Sequence, residues 1–289
     1  NNRSSHSELT IRGGGTIFVL ALVLLGILHP AYWLIVIGGC IIGIISFIDD
    51  WHTLSNKIRL FFHLLAVTCL FSSLEVFSSM PIYGVVILFI SVIGTINAYN
   101  FMDGINGITG LYSLVILGAL QFVNYEMSVF ILPDMIWLPI LACLVFLFFN
   151  FRTKAKCFAG DVGSITISFW ILYLILKVIL VSGNYAYALF LLMYGLDAIT
   201  TIMFRLIRRE NIFEAHRSHF YQYLANERRI PHIYISAIYA VAQLTIIVTL
   251  LTVGVVSLQT LILSVIISFI GFIGIRLYIE GKDRLLKQL

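Results

Sequence analysis

The sequence predicts an all-α, polytopic membrane protein, on three observations. Of 289 residues, 60% are hydrophobic and only 11% charged, with a mean hydropathy of +1.01; soluble domains carry about 25% charged residues. The apolar runs are continuous. In lipid only helices and closed barrels satisfy their backbone, and barrel strands would alternate apolar with polar. Positive charge also collects in loops of one parity. No soluble domain, linker or low-complexity tract interrupts the chain, so residues 1–289 read as one integral-membrane domain.

Helices are expected at about 16–28, 31–48, 58–76, 82–99, 106–124, 134–150, 163–182, 185–204, 233–253 and 257–278. The first two turn at His29-Pro30, where Pro suits a helix start after a break. One longer, kinked helix there is the alternative, and it would invert everything downstream. The chain opens Asn1-Asn2 inside a polar segment, as though a first helix preceded it. The four cysteines (Cys40, Cys69, Cys143, Cys157) lie in or beside apolar runs without metal-ligand spacing and read as free thiols.

With ten spans, one side of the membrane receives 1–15, 49–57, 100–105, 151–162, 205–232 and 279–289. That side holds 17 of the 18 Lys and Arg, counting Arg59 and Arg276 just inside helix ends. Lys177 alone lies towards the other side, near enough to its edge to snorkel. The asymmetry supports the count and a cytoplasmic place for these loops. The polar clusters then share that face: Asp49-Asp50, Asn97–Gly110, Phe158–Ser164 and Glu214–Gln222. The opposite loops are short and carry Glu75, Glu126 and Asp134. Co-location on one face argues for one active site.

The clusters supply particular chemistry. In Asn97–Gly110, Asn97 and Asn100 share a helix face with Asp103 one turn on, and three glycines permit tight turns. Such groups at a membrane edge are costly unless they hold something polar; a polar loop with helix caps is the plainer reading. Asp49-Asp50 ends a helix and opposes its macrodipole, so it calls for a cation or metal, unless it is a solvated helix end. Asp161 sits at a helix start between glycines, either as an N-cap or as a Mg²⁺ ligand. His216 and His219, three apart with Arg217 between them, suit phosphate better than zinc, for which a third ligand is lacking. A basic loop on anionic headgroups is the alternative for Arg205, Arg208, Arg209, Arg228 and Arg229. Asp197, inside the eighth span, either pairs with a basic residue or lines the site. Together these groups suit phosphoryl-group transfer between a soluble nucleotide and a lipid.

In their order, Asp49-Asp50 with Lys57 and Arg59, Asn97–Gly110, Phe158–Ser164 and His216–Gln222 resemble the polyprenyl-phosphate N-acetylhexosamine-1-phosphate transferases, the WecA and MraY superfamily (glycosyltransferase family 4), and most of all its WbpL-type, O-antigen-initiating members. Arg3-Ser4-Ser5-His6 and Arg12-Gly13-Gly14-Gly15 resemble the family's loop after its first helix. The resemblance covers essentially the whole chain and implies eleven spans in a full-length protein, one more than here. It implies Asp49, Asp50 and Asp103 as catalytic residues, and Asn100 and Asp161 at a Mg²⁺ site that Mn²⁺ could also fill. It implies Phe158 and Asn106 at the uracil, and Arg59, His216, Arg217 and His219 around the pyrophosphate and sugar, with Arg12, Lys57 and Asn97 beside the substrates. Many members carry a second Asp where this chain has Asn106.

The implied reaction is attack by undecaprenyl phosphate on a UDP-N-acetylhexosamine, releasing UMP, as the first step of an O-antigen, capsule or other envelope polysaccharide. The implied place is the bacterial plasma membrane with the site facing the cytoplasm. A homodimer is open and no nucleic-acid partner is expected. The rival class, a transporter or flippase for an anionic lipid, predicts polar residues near the midplane and often internal repeats, whereas here the clusters lie at one face and no repeat is found. A lipid-phosphate hydrolase lacks a matching nucleophile arrangement.

Overall fold

A helix stands at each of the ten expected places. The computed structural model describes residues 11–212, 214, 216–254 and 257–287; the opening Arg3-Ser4-Ser5-His6 segment lies outside the described residues. The order is β1 (Ile11–Arg12), α1 (Thr16–Leu28), α2 (Trp33–Trp51), α3 (Asn56–Ser73), α4 (Val76–Ser79), α5 (Ile82–Phe101), α6 (Ile108–Phe122), α7 (Asp134–Asn150), β2 (Cys157–Phe158), α8 (Gly160–Ser182), α9 (Leu192–Ile207), α10 (Phe220–Asn226), α11 (His232–Val253), α12 (Leu258–Glu280) and α13 (Lys282–Leu286). Among the described residues, seven segments are helical, long and apolar enough to cross a membrane: 30–51, 82–101, 108–127, 160–182, 185–207, 232–253 and 258–280. The chain is therefore an all-α, multi-pass membrane protein. Helices α1 and α7 are apolar but shorter, and α3 carries Lys57, Arg59 and His63.

The break at His29-Pro30 is real. Pro30 opens a 3₁₀ turn, Pro30–Tyr32, that separates α1 from α2. His29 Nε2 lies 2.7 Å from Asp134 Oδ2 at the start of α7, tying this turn to a neighbour at the end away from the polar clusters. Helix α8 is the bundle's axis. Every residue from Val162 to Ile175 is buried, packed against α2, α5, α6 and α1. Its β-branched, Leu and aromatic side chains carry no amphipathic stripe, as befits a helix enclosed all round. Helix α12 is the opposite case, with isoleucines and leucines exposed along its length.

One feature departs from an all-helical reading. Ile11 pairs with Cys157 and Arg12 with Phe158 in a parallel two-residue ladder. Gly14 N–H donates to Phe158 O at 2.9 Å and Gly15 N–H to Ala159 O at 3.1 Å. A Cβ on Gly15 would fall 2.1 Å from Gly163 Cα, so the two backbones touch where only glycine fits.

The basic end is tied together by ion pairs. Arg205 and Arg208 are buried and share Glu210, with Nε–O distances of 2.9 and 2.5 Å. Arg205 also donates to carbonyls of Asn211, Ile212 and Glu214, and Arg208 to those of Arg284 and Leu285. The Arg208 hydrogen bond, above all, holds the Glu210 carboxyl below its ordinary range. Contact with anionic headgroups, the alternative raised for these two arginines, gives way to internal bracing: each side chain is turned inward and satisfied there.

Candidate functional site

One cavity of about 1140 Å³ opens at the basic end. Its walls come from β1, the ends of α2 and α5, the start of α3, the first turn of α8, α9, Ile212, Glu214 and the 216–222 segment. Asp49 and Asp50 lie in the last turn of α2 and both line it. Asp49 accepts the Leu54 N–H at 2.7 Å and meets Arg59 Nε at 3.3 Å, so its charge at a helix C-terminus is offset. Asp50 accepts the Val162 N–H at 3.2 Å across the cavity floor. Here the first turn of α8 presents free N–H groups to a carboxylate. Gly160 makes this approach possible: φ is +69°, and a Cβ there would lie 2.5 Å from Asp50 Oδ2.

Asp161 lines the cavity from the first turn of α8, one residue inside the helix; Ala159 holds the N-cap position. Asp103 faces it from the turn after α5 and accepts the Thr109 hydroxyl at 2.6 Å. Burial raises the Asp103 carboxyl to about 7; the Thr109 bond opposes this, and the charges of Asp161 and Asp50 add to it. Asn97 and Asn100 project from α5 into the same space. Asn97 Nδ2 donates to Ile93 O at 2.9 Å, whereas Asn100 Nδ2 is buried without a partner among the described residues.

Phe158 and Arg12, paired on the two strands, also line the cavity. So do His216 and His219, whose rings stack at 5.1 Å, with Phe101 beside both. Three candidates do not line it. Lys57 and Arg217 are exposed, and Asn106 is 2% exposed. Asn106 Nδ2 donates to the carbonyls of Arg152 and Thr153, at 2.8 and 3.3 Å, and its backbone carbonyl accepts from the Ser236 hydroxyl, while its side-chain Oδ1 has no partner among the described residues. It braces the turn from behind, where the sequence reading expected a nucleobase contact.

Among the cavity residues to which the sequence reading gave no role, Asn150, His63 and Tyr221 stand out. Asn150, at the end of α7, accepts the Gly107 N–H at 2.7 Å and donates to Cys157 O at 2.7 Å. It thereby fixes the Asp103 turn against the strand before Asp161. A lone Asn closing an apolar helix was the only signal. His63 is buried one turn beyond Arg59 on α3. Tyr221 donates to Phe101 O at 2.9 Å and fits only because Gly104 has no Cβ, which would lie 2.2 Å from its hydroxyl.

The donor set suits a hard divalent cation. The charges of Asp161 and Asp50 make Asp103 costlier to ionise, that of Asp161 does the same to Asp50, and the orphaned Asn100 amide lines the same cavity. Among the described residues no three His, Cys, Asp or Glu groups converge into a complete metal cage. Mg²⁺ is commonly held by one or two carboxylates with waters and substrate phosphates, so an incomplete protein shell is the fitting kind.

Comparison with known proteins agrees with this geometry. The profile of Glycosyl transferase family 4 matches residues 32–179. The chain is 27% identical over 188 residues to a probable undecaprenyl-phosphate N-acetylglucosaminyl 1-phosphate transferase of Bacillus subtilis, covering 58% of this chain and 51% of that protein. It is 30% identical over 183 residues to a phospho-N-acetylmuramoyl-pentapeptide-transferase of Lactobacillus helveticus, covering 53% and 56%. A transferase of the same description from Thermotoga neapolitana is 27% identical over 179 residues, covering 56% and 58%. The chain thus spans about half the length of the curated relatives it matches. The matched stretch contains Asp49, Asp50, Arg59, Asn100, Asp103 and Asp161, the groups that meet in the cavity. The chain belongs to glycosyl transferase family 4.

Proposed function

We propose that the protein transfers an N-acetylhexosamine 1-phosphate from its UDP conjugate to undecaprenyl phosphate, releasing UMP, on the cytoplasmic face of a bacterial plasma membrane. The observation that carries this reading is the mixed lining of one cavity. Asp50, Asp103 and Asp161 share it with Arg12, Arg59 and three histidines, while Leu60, Ile93 and Ile202 supply apolar wall. A site for two phosphates, one of them on a lipid, needs both kinds of surface.

Asp161 and Asn100 would hold Mg²⁺, with Mn²⁺ as a substitute; the dication's contribution is to offset charge building on the departing UMP. Arg59, braced by Asp49, supplies a fixed positive charge for the incoming phosphate. A phosphate monoester has its second pKa near about 6. The acceptor is then mostly dianionic at neutral pH and needs no general base. Asp49 and Asp50 accordingly position groups, and alignment supplies much of the rate. Phe158 offers a ring for the uracil.

Ten crossings are part of this reading, supported by parity. Arg12, Asp50, Asp103 and Asp161 share one cavity. The pairs of helices between them are α1 with α2, α3 with α5, and α6 with α7. Each pair includes one of the three helices outside the seven long apolar segments. Unless those three also cross, successive cavity residues would lie on opposite faces. An O-antigen pathway of the WbpL type is a finer expectation; the relatives described above carry other names.

The test uses purified protein, undecaprenyl phosphate, Mg²⁺ and a panel of UDP-[¹⁴C]N-acetylhexosamines. Label should enter the lipid with one UMP released per sugar, and chelation should stop it. Label that stays aqueous with every donor, or full turnover after exhaustive chelation, would sink the reading.

A further inference from the structure

Asp197 lies in α9 and is wholly buried, yet it is not part of the cavity wall; its neighbours Ala198 and Ile202 are. Its carboxylate is turned to the segment that carries the histidines. Oδ1 accepts the Phe220 N–H at 2.9 Å and the Thr201 hydroxyl at 3.1 Å, and stands 3.3 Å from His219 Nδ1. Oδ2 accepts the Tyr239 hydroxyl at 2.6 Å and the Tyr221 N–H at 3.2 Å. One carboxylate thus joins α9, α10 and α11. A buried charge is tolerated only when hydrogen-bonded on this scale. The other side of the same segment is held by Arg276, 1% exposed, which donates to Ser218 O, Thr200 and Thr201 and pairs with Glu280.

His219 is 2% exposed and lines the cavity. Gln222 Oε1 accepts the His219 backbone N–H at 3.3 Å, closing a capping box at the start of α10. Nδ1 faces Asp197 Oδ1, a carboxylate that can only accept, so the ring carries a hydrogen on Nδ1. Nε2 has no partner among the described residues and is the nitrogen left for a ligand.

We propose that Asp197 is a positioning residue: by holding the Phe220 and Tyr221 N–H groups and the His219 Nδ1–H it sets the ring so that the unpartnered Nε2 shares a proton with a phosphate oxygen of the nucleotide-sugar. The identity of that ligand rests on the transfer reading above; the positioning does not. The site demands a group that only accepts. In Asp197→Asn one oxygen becomes an NH₂ facing donors already in place, and a buried donor is left unsatisfied.

The experiment compares Asp197→Asn, His219→Asn and the double variant, as the full chain in lipid nanodiscs. Each single variant should lower kcat by about 30- to 100-fold, the loss of one charge-stabilising donor. KM for the UDP-sugar should change less than about threefold, because the contact strengthens as the leaving group departs. The double variant should be no slower than His219→Asn alone, since Asp197 acts through His219. Losses that multiply, or normal kcat in Asp197→Asn, would overturn the proposal. A second readout is independent of turnover. In ¹⁵N-histidine spectra the wild-type His219 ring should occupy one tautomer that responds to inorganic diphosphate, and Asp197→Asn should give a mixture. A His219 signal unchanged by Asp197→Asn overturns the positioning role. A wild type that transfers no label overturns the transfer reading alone, and the spectra still decide the rest.

Discussion

Asp103 illustrates how one residue's surroundings set its chemistry. Its carboxyl is raised from 3.8 to about 7, first by burial and then by Asp161 and Asp50. The folded state therefore holds this proton more tightly than the unfolded chain. Between about pH 4 and pH 7 the folded state binds the extra proton, so this group's contribution to stability falls as pH rises and levels off above 7. On the proposed function, a divalent cation among the three carboxylates would reverse the penalty, and it would bind only the folded arrangement. In detergent, added Mg²⁺ should raise Tm by several degrees more at pH 8 than at pH 5, and Asp103→Asn should shrink the difference. Equal Mg²⁺ shifts at both pH values would mean that the carboxylates do not share a cation. Asp103 was visible in the sequence as a carboxylate at a membrane edge, which is costly unless used. Asn106 shows what the sequence leaves open, because Asn suits a nucleobase and a backbone brace equally well. Only the position of the Arg152 and Thr153 carbonyls separates the two, and that is a tertiary fact.

Among elements, the start of α8 concentrates most function in fewest residues. Phe158 is on the strand, Gly160 makes the turn, Val162 N–H meets Asp50, and Asp161 faces the cavity. The helix was readable from its apolar run; its partner β1 was not, because two residues set no period. Likewise α10 is seven residues long and docked by Asp197 from another helix. Short elements held by distant side chains leave little local trace. Two glycines separate the local cost of helix formation from the demands of the site. Gly160 has φ +69°, and a Cβ there collides with the Asp50 carboxylate. Gly160→Ala pays about 1–2 kcal/mol for a left-handed residue and must also displace Asp50. On the proposed function, transfer should fall at least about tenfold, as expected when a group that aligns the reactants is moved by even an ångström. Gly118 lies inside α6 with nothing within 4 Å of its added Cβ. Ala there should raise stability by up to about 1 kcal/mol and leave turnover alone. Kinetics and thermal melts of the two variants decide whether close approach at Gly160 is what the site requires; equal, small effects would show that it is not.

At the scale of the whole molecule, lipid solves the packing problem differently at the two ends. Helix α12 leaves its isoleucines and leucines outward, which hydrocarbon accepts without cost. The polar groups of the cavity end cannot do this, so they braid into one another through Arg205, Arg208, Arg276, Glu280 and Arg284. The sequence made the division legible through charge alone, with 17 of 18 Lys and Arg assigned to one side. What it could not resolve was whether every apolar helix crosses, since α1 has 13 residues and α7 has 17, against the roughly 20 that span a typical bilayer. A short helix can cross where the bilayer thins or flanking residues snorkel. The hydrogen bonds of β1 to β2 join Arg12 to Phe158, which demands an even number of crossings between them. The seven long apolar segments put only three there (30–51, 82–101 and 108–127). Single cysteines at Arg12, Lys154 and Lys282 should therefore all label from the cytoplasmic side, and one at Asn184 only from outside, with a membrane-impermeant maleimide on oriented membranes. Seven crossings would instead separate position 12 from position 154. Labelling of those two from opposite sides would break the parity argument, and with it the claim that Arg12, Asp50, Asp103 and Asp161 serve one site.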